Sequence, residues 1–153
     1  MFPLEQYEEN ERKHLLNLPC PQYDSTPFVT GQKISQARIA LVSTAGLHQR
    51  SDTPFGVGET GYRLIPKTVK SNDLVMSHIS TNFDRTGFQQ DLNMVFPLDR
   101  LNELVEEGYI DSIAEYHYSF MGATDPTQME EEARSLAAIL KKDKVNAVLL
   151  VPV

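Results

Sequence analysis

The chain has few of the features that build disulfide frameworks, membrane spans or nucleic-acid surfaces. Its 153 residues include one cysteine and no tryptophan, so no internal disulfide can form. No apolar run approaches the ~18 residues of a membrane span, and the acidic N-terminal segment lacks the apolar stretch of a secretory signal. Against 21 acidic residues there are only 14 basic ones, and the net charge of −7 disfavours nucleic-acid binding. We therefore expect a cytoplasmic protein without membrane or nucleic-acid partners.

The remaining composition is that of a folded domain. Hydrophobic residues make up 41% of the chain and charged residues 23%, which is enough apolar material for a core. Residues 1–36 are predicted to form an N-terminal helix, over 4–18, followed by a proline-containing extended arm. Cys20 lies in that arm between two prolines, and we interpret it as a packing residue. Residues 37–153 are predicted to form the α/β domain.

Short apolar runs alternate with amphipathic segments after residue 37. The runs predict β-strands at 38–46, 62–66, 73–79, 113–118 and 145–153. The first is typical of a strand buried on both faces, and those at 73–79 and 145–153 are also predicted to be buried. The amphipathic segments predict one helix from Pro97 to Gly108 and another that begins near Asp125, the expected N-cap. Alternation of this kind predicts an α/β fold with an open, mostly parallel sheet and flanking helices, of the Rossmann or flavodoxin-like type.

Polar residues lie at or just beyond the carboxyl ends of several predicted strands. In open α/β sheets, ligands bind beyond the carboxyl ends of the strands. The polar and titratable residues that we therefore predict to bind substrate are Thr44, His48, His78, Asp84, Arg85 and His117. No nucleophile–base pair or cofactor fingerprint is complete among them, so no catalytic residue is assigned within the chain.

The histidines and glycines of these segments also have simpler interpretations. His48, His78 and His117 show no ligand spacing such as H-x-x-x-H, so we predict no metal site. His117 is equally well explained as a hydrogen-bonded residue within its strand. Three glycines at 56, 58 and 61 resemble a phosphate-binding loop but neither follow a strand nor open a helix, which favours a flexible loop.

Arg85 has two possible roles. Its guanidinium group could clamp a substrate carboxylate through two hydrogen bonds. Alternatively, it pairs with the neighbouring Asp84 and stabilises a loop. The sequence slightly favours the structural role.

Seven stretches together resemble one enzyme family. They are Ala40–His48, Tyr62–Pro66, Ser77-His78, Phe83-Asp84, Asp91–Leu104, His117–Gly122 and Ala147–Val153. The chain is similar, from about residue 10 to Val153, to the glycine/sarcosine/betaine/D-proline reductase selenoprotein B family, and most of all to its short, proline-reductase-like members. The Asp91–Leu104 block and the His-Tyr-Ser-Phe-Met-Gly motif are the most specific parts of this resemblance.

The resemblance implies a selenol- or thiol-dependent reductase subunit. In the family, the strand equivalent to 145–153 is followed by a reactive selenocysteine or cysteine in a U/C-P-x-C motif. A pyruvoyl group on a partner subunit activates the amine of an amino acid, the selenol attacks the α-carbon, and a thiol reductant restores the selenium. The resemblance thus implies a small amino acid or amine as substrate.

The sequence stops where that motif is expected. We hypothesise that the chain is C-terminally incomplete because an in-frame UGA codon, which encodes selenocysteine, was read as a stop; deliberate truncation is the alternative. The 153-residue chain is then predicted to be inactive and, because truncation uncovers apolar surface, homo-oligomeric.

A competing hypothesis is a non-catalytic α/β module that binds a small molecule or another subunit, and a third, weaker one is a nucleotide-binding domain.

Overall fold

The computed structural model describes residues 3–18, 22, 24, 29–80 and 85–153. Cys20, Phe83 and Asp84, which are named above, lie outside them. The helices are α1 (Glu9–Leu16), α2 (Thr86–Gln90), α3 (Leu98–Glu106) and α4 (Glu130–Lys142), with short 3₁₀ helices at Leu4–Gln6, Ile34–Gln36, Ser71–Asp73, Leu92–Met94 and Pro126–Met129. The strands are β1 (Arg38–Ser43), β2 (Leu47–Gln49), β3 (Arg63–Pro66), β4 (Leu74–Met76), β5 (Ser112–Ile113), β6 (Tyr116–Ser119) and β7 (Ala147–Val151).

The main sheet is built around β1. This strand pairs in parallel with β7 along one side, and with β5 and then β6 along the other. β3 adds to β6 in the antiparallel direction. The predicted α/β class with a mostly parallel sheet is confirmed.

The prediction that residues 73–79 form a buried strand of the parallel sheet is wrong. Only Leu74–Met76 is extended, and it pairs antiparallel with β2 in a separate two-stranded sheet. Its partner β2 lies between the segments predicted as strands at 38–46 and 62–66, where no strand was predicted. Leu47 and Leu74 are buried in the main core. The ribbon formed by β2 and β4 therefore packs against the main sheet, and this packing buries apolar side chains without making β4 a strand of that sheet.

Both faces of the sheet are covered by helices. Ile39 and Leu41 of β1 belong to a core cluster that includes Leu98 and Leu101 of α3. The intervening Ala40 belongs to a second cluster with Leu136 and Leu140 of α4. Successive residues of a strand point to opposite faces, so β1 is buried on both sides, as its sequence predicted.

The strand predicted at 145–153 is not fully buried. β7 spans Ala147–Val151, and three of its side chains are exposed: Val148 (42%), Leu149 (37%) and Leu150 (69%). Among the described residues β7 pairs only with β1. An apolar strand is buried only when neighbouring elements cover it. The hydrophobicity of residues 145–153 does not indicate that the strand lies at an edge of the sheet.

Helix boundaries also differ from the predictions. α1 is shorter than the predicted 4–18 helix and has no buried residue. α3 starts after Pro97, and Asp125 caps the helical segment before α4 by accepting a hydrogen bond from the Thr127 amide. In the described part of the chain, no helix is long and apolar enough to cross a membrane.

Candidate functional site

The carboxyl ends of β1, β6 and β7 lie side by side. Ser43, the last residue of β1, is aligned with Ser119 of β6 and with Val151 of β7. Because β3 runs in the opposite direction, its first residue, Arg63, lies at the same edge, opposite Ser119. Residues that follow β1, β6 and β7 and those that precede β3 therefore share one border of the sheet.

Thr44, a predicted site residue, holds the backbone that follows β7. Its hydroxyl oxygen accepts a hydrogen bond of 2.8 Å from the Val153 amide and lies 3.2 Å from the Val153 carbonyl oxygen. The Thr44 amide also donates to the Val151 carbonyl, over 3.1 Å. Thr44 thus fixes the path of the chain as it leaves β7.

Gly122 also contacts the backbone at Thr44 and Val153. Its amide donates to the Thr44 carbonyl oxygen over 2.8 Å. A Cβ atom at Gly122 would overlap the Val153 carbonyl oxygen and would lie 2.9 Å from the Thr44 carbonyl oxygen. Only glycine leaves room for the three backbone segments to meet here.

His78 approaches the same place from the β2–β4 ribbon. Its side chain is buried, and Nδ1 accepts a hydrogen bond of 3.2 Å from the Ser80 amide. Burial lowers the pKa of His78, the positive charge of Arg85 lowers it further, and a backbone hydrogen bond with Val153 partly opposes both effects. His78 is therefore neutral at pH 7 and lies next to Val153.

Gly46 allows His78 to come this close to β1. The Gly46 φ angle of 64° is in the left-handed region that glycine adopts readily. A Cβ there would lie 3.0 Å from the His78 amide nitrogen and 3.1 Å from its Cα atom. The Ser77 amide donates to the Gly46 carbonyl oxygen over 2.9 Å, which joins the two segments.

Arg85 shapes the turn that carries His78. Its Nη2 atom donates to the carbonyl oxygens of His78 and Ser80, at 2.6 Å each. These contacts are structural, which is the kind of role that the sequence slightly favoured. The pairing proposed with Asp84 involves a residue outside the described ranges.

His48 pairs with Ser77 within the ribbon. His48 Nδ1 lies 2.7 Å from the Gln49 carbonyl oxygen, and Nε2 lies 2.5 Å from the Ser77 hydroxyl. A carbonyl oxygen can only accept, so Nδ1 carries the proton and Nε2 accepts the hydroxyl proton of Ser77. His48 lies inside β2 and is buried, at a position where no strand was predicted.

His117 is not brought to this edge. It lies within β6, is fully buried, and accepts a hydrogen bond of 3.0 Å at Nδ1 from the Leu41 amide. Burial lowers the pKa of His117 to about 4, with Asp143 raising it and Arg38 lowering it. The structure thus corresponds to the simpler interpretation, a hydrogen-bonded strand residue. Over the described ranges, no group of three His, Cys, Asp or Glu residues could hold a metal ion.

The sequence did not single out Arg63 and Glu59, which order the long loop before β3. Arg63 Nη1 lies 2.6 Å from Glu59 Oε1, and the guanidinium carbon lies 4.2 Å from the centre of the Phe55 ring. The hydrogen bond from Arg63 is the main cause that lowers the pKa of Glu59. Opposite charges four residues apart were the available signal. The glycine-rich loop was predicted to be flexible, but this ion pair connects its Glu59 to the first residue of β3.

An open depression of about 610 Å³ lies beside this loop. It is lined by Ser51, Asp52, Thr53, Glu59, Tyr62, Arg63 and Leu64. The loop is also tied to the segment after β6, because the Thr124 hydroxyl donates to the Glu59 carbonyl oxygen over 2.8 Å. The carboxyl edge of the sheet therefore combines three features: the Val153 backbone hydrogen-bonded to Thr44, the neutral side chain of His78, and the depression lined by polar residues.

Comparison with known proteins gives the family. Residues 9–153 match the family described as "Glycine/sarcosine/betaine reductase selenoprotein B". The chain belongs to this family. The resemblance inferred from the sequence motifs is confirmed.

Several curated proteins are similar to this family member. D-proline reductase subunit gamma of Acetoanaerobium sticklandii is 33% identical over 122 residues, which cover 78% of this chain and 50% of that protein. Glycine reductase complex component B subunit gamma of Symbiobacterium thermophilum is 30% identical over 139 residues, 86% of this chain and 32% of the relative. Sarcosine reductase complex component B subunit beta of Peptoclostridium acidaminophilum is 28% identical over 149 residues, 92% and 34% respectively.

The chain spans half the length of the D-proline reductase subunit and about a third of the other two relatives. No solved structure matches the chain.

Proposed function

We propose that this chain is a component of a reductase complex that cleaves the C–N bond of a small amino acid or amine, with a dithiol as electron donor. The observation that carries the proposal is the backbone at Val153, held by Thr44 at the carboxyl edge of a parallel sheet. This is the position in α/β folds where ligands bind. Family membership supports the reaction type, since the relatives are named as reductase subunits for D-proline, glycine, sarcosine and betaine.

The proposed reactive group is a selenocysteine or cysteine that directly follows Val153, in the U/C-P-x-C motif that the family resemblance implies. Its selenolate or thiolate attacks the substrate α-carbon, the C–N bond breaks, and the amine leaves with a proton. The motif's cysteine thiol then attacks selenium, and the carbon product departs with a proton while a Se–S bond forms. An external dithiol reduces that bond, so each turnover consumes one dithiol and yields one disulfide.

A partner subunit is part of the proposal. A pyruvoyl group on such a subunit would activate the substrate amine as a leaving group. The described residues at the edge would then bind and orient the substrate: Thr44 and His78 beside the nucleophile, His48 with Ser77 in the adjoining ribbon, and Arg85 supporting the turn. Asp84 stays a predicted contributor.

The test uses the native complex purified from the cells that make it. With dithiothreitol as donor, we expect consumption of one of D-proline, glycine, sarcosine or betaine, with one disulfide formed per molecule reduced. Ring opening of D-proline by two electrons and two protons would give 5-aminopentanoate, which mass spectrometry detects. Failure of all four substrates, in a complex whose subunits are verified by mass, would refute the proposed reaction.

The isolated 153-residue chain provides the matched control. We expect no dithiol-dependent turnover from it, because its one thiol, Cys20, lies in the segment predicted to be an N-terminal arm. Turnover by this chain that is lost in His78→Gln but kept in Cys20→Ser would contradict the need for a further nucleophile. Saturable thermal stabilisation of the isolated chain by a small molecule, without turnover in the native complex, would instead support a binding module.

A further inference from the structure

A cavity of about 260 Å³ lies between the β2–β4 ribbon and α2. Its apolar lining includes the buried Leu74 and the half-buried Phe88 and Leu92, and its polar lining includes Arg50, Asn72 and Gln89. Apolar surface with a few polar groups is typical of sites for small molecules. Pockets that hold drug-sized ligands begin at about 300 Å³, so this cavity suits a smaller molecule.

Arg50 is fixed beside the cavity by two hydrogen bonds to the 3₁₀ helix Ser71–Asp73. Its amide donates to the Asp73 carbonyl oxygen over 3.0 Å, and its Nε atom donates to the Asn72 carbonyl oxygen, also over 3.0 Å. A guanidinium group has five N–H donors, so those on Nη1 and Nη2 remain after Nε–H is used. Because Nε is held, the fork formed by the two Nη atoms has a defined orientation.

The positive charge of Arg50 has no acidic partner within the described parts of the chain. Its Nη atoms make no hydrogen bond or ion pair there. Asp52, the carboxylate nearest in sequence, accepts a hydrogen bond from the Gln49 amide over 3.0 Å instead. Other arginines in the described ranges do pair with a carboxylate, namely Arg38, Arg63, Arg100 and Arg134. In a chain of net charge −7, this difference favours a ligand as the partner of Arg50.

We propose that the cavity binds a small carboxylic acid, whose carboxylate accepts two parallel hydrogen bonds from Nη1 and Nη2 of Arg50. The planar guanidinium group matches the two oxygens of a carboxylate, and such charge-assisted bonds are stronger than those between neutral groups. The short apolar part of the acid contacts Phe88 and Leu92. Gln89 lies on the same cavity and sets how much negative charge the site accepts.

This site is separate from the candidate site at the carboxyl edge of the main sheet. β2 begins at Leu47, directly after Gly46 of the candidate site, and ends at Gln49, directly before Arg50. The two ends of β2 are about 7 Å apart. Binding at Arg50 therefore does not depend on the proposed reductase function.

The first experiment locates the bound acid by phenylglyoxal modification of arginines in the full-length protein, with peptide mass spectrometry to identify the labelled residues. Acetate, propanoate and butanoate are compared with their uncharged amides at constant ionic strength. We expect the acids to protect Arg50 in a saturable manner and the amides not to, because an amide has only one oxygen to accept from the fork. Arg100, an exposed arginine of α3, is the internal control and should not be protected in this way.

The second experiment measures affinity from the rise of the thermal denaturation midpoint with acid concentration. Arg50→Gln should weaken binding by about ten- to hundredfold, because two hydrogen bonds to a charged group are lost. Gln89→Glu is nearly isosteric, and its carboxylate should weaken binding by repelling the ligand and competing for Arg50. Arg100→Gln and Gln36→Glu make the same changes on exposed residues elsewhere and should leave binding unchanged.

Saturable protection of Arg50 by the acids, with weaker binding in Arg50→Gln and Gln89→Glu, supports the site. Equal protection of Arg50 and Arg100, equal protection by the amides, or no protection by any of the three acids overturns it. Unchanged affinity in folded Arg50→Gln overturns it as well. The dithiol-dependent reaction of the native complex is measured separately, so failure of the carboxylate site leaves the proposed function standing.

Discussion

Replacing His117 with asparagine should remove much of the loss of stability that the protein suffers between neutral and mildly acidic pH. His117 is fully buried, and its Nδ1 atom accepts the Leu41 amide hydrogen bond at 3.0 Å. Asparagine places its side-chain oxygen near the Nδ1 position and can accept the same bond, but it does not titrate. The substitution therefore separates the proton equilibrium of the ring from the hydrogen bond that the ring makes.

The direction in which pH changes the stability of the folded protein follows from the lowered pKa of His117. Burial lowers the pKa of His117 from 6.5 to about 4 in the folded protein. As pH falls below 6.5 the unfolded chain binds a proton first, so stability that is complete above this pH is lost progressively down to about 4. The difference between the two pKa values corresponds to about 3 kcal/mol of the free energy of unfolding. About 2.5 kcal/mol of this is lost between pH 7.5 and pH 4.5.

The assay is urea denaturation of both proteins at these two pH values, followed by circular dichroism. We expect His117→Asn to be less stable than the parent at pH 7.5, because its smaller side chain leaves a void, yet to lose about 2 kcal/mol less on acidification. His78 also titrates with a lowered pKa, but it is present in both proteins and cancels. An equal loss of stability in parent and variant would refute the assignment of this titration to His117, and His14→Asn provides a surface control.

Three further predictions concern stability and association. Gly46→Ala should destabilise the fold by about 1–3 kcal/mol because it combines a φ of 64° with a methyl group 3.0 Å from His78, whereas Gly61→Ala should be nearly neutral in the same thermal denaturation assay. Burial raises the pKa of Asp143, but hydrogen bonds from Arg38 and the Glu115 amide hold it below its usual value. Asp143→Asn should therefore lower stability at pH 7 and match the parent once pH falls well below 3.8; equal stability at pH 7 would contradict this. Finally, the 153-residue chain should self-associate in light scattering, and a concentration-independent monomer would contradict this. Leu150→Lys should reduce self-association more than Leu16→Lys, because Leu150 is exposed on the edge strand β7, whereas Leu16, exposed to a similar degree, lies on α1.

Much of the sheet could be predicted because its signals are local. The run from Arg38 to Ser43 is apolar on both faces, which indicates a strand covered on both sides, and the structure places it at the centre. The proline before α3 and the Asp125 cap before α4 follow from backbone hydrogen-bonding rules that act over a few residues. Thr44 and His78 were identified because both lie near the carboxyl end of a predicted strand.

What could not be predicted depends on contacts between distant segments. Three apolar residues, Leu74–Met76, are compatible with a central strand or with a ribbon, and only their pairing with β2 decides between them. His117 was selected as a strand-end residue, but β6 continues to Ser119 and places the ring in the core. The grip on Val153 joins residues more than 100 positions apart, and no local pattern contains that information.

The central place of β1 has a consequence for biosynthesis. Its second neighbour, β7, is joined to it through pairs such as Ile39 with Ala147 and Ser43 with Val151. A ribosome makes these residues in order, so the first strand of the sheet leaves the exit tunnel long before its last partner exists. Long-range pairing of this kind is slow to form and leaves apolar strands open to wrong partners meanwhile. One edge of β1 therefore stays unpaired in the nascent protein until β7 has been made.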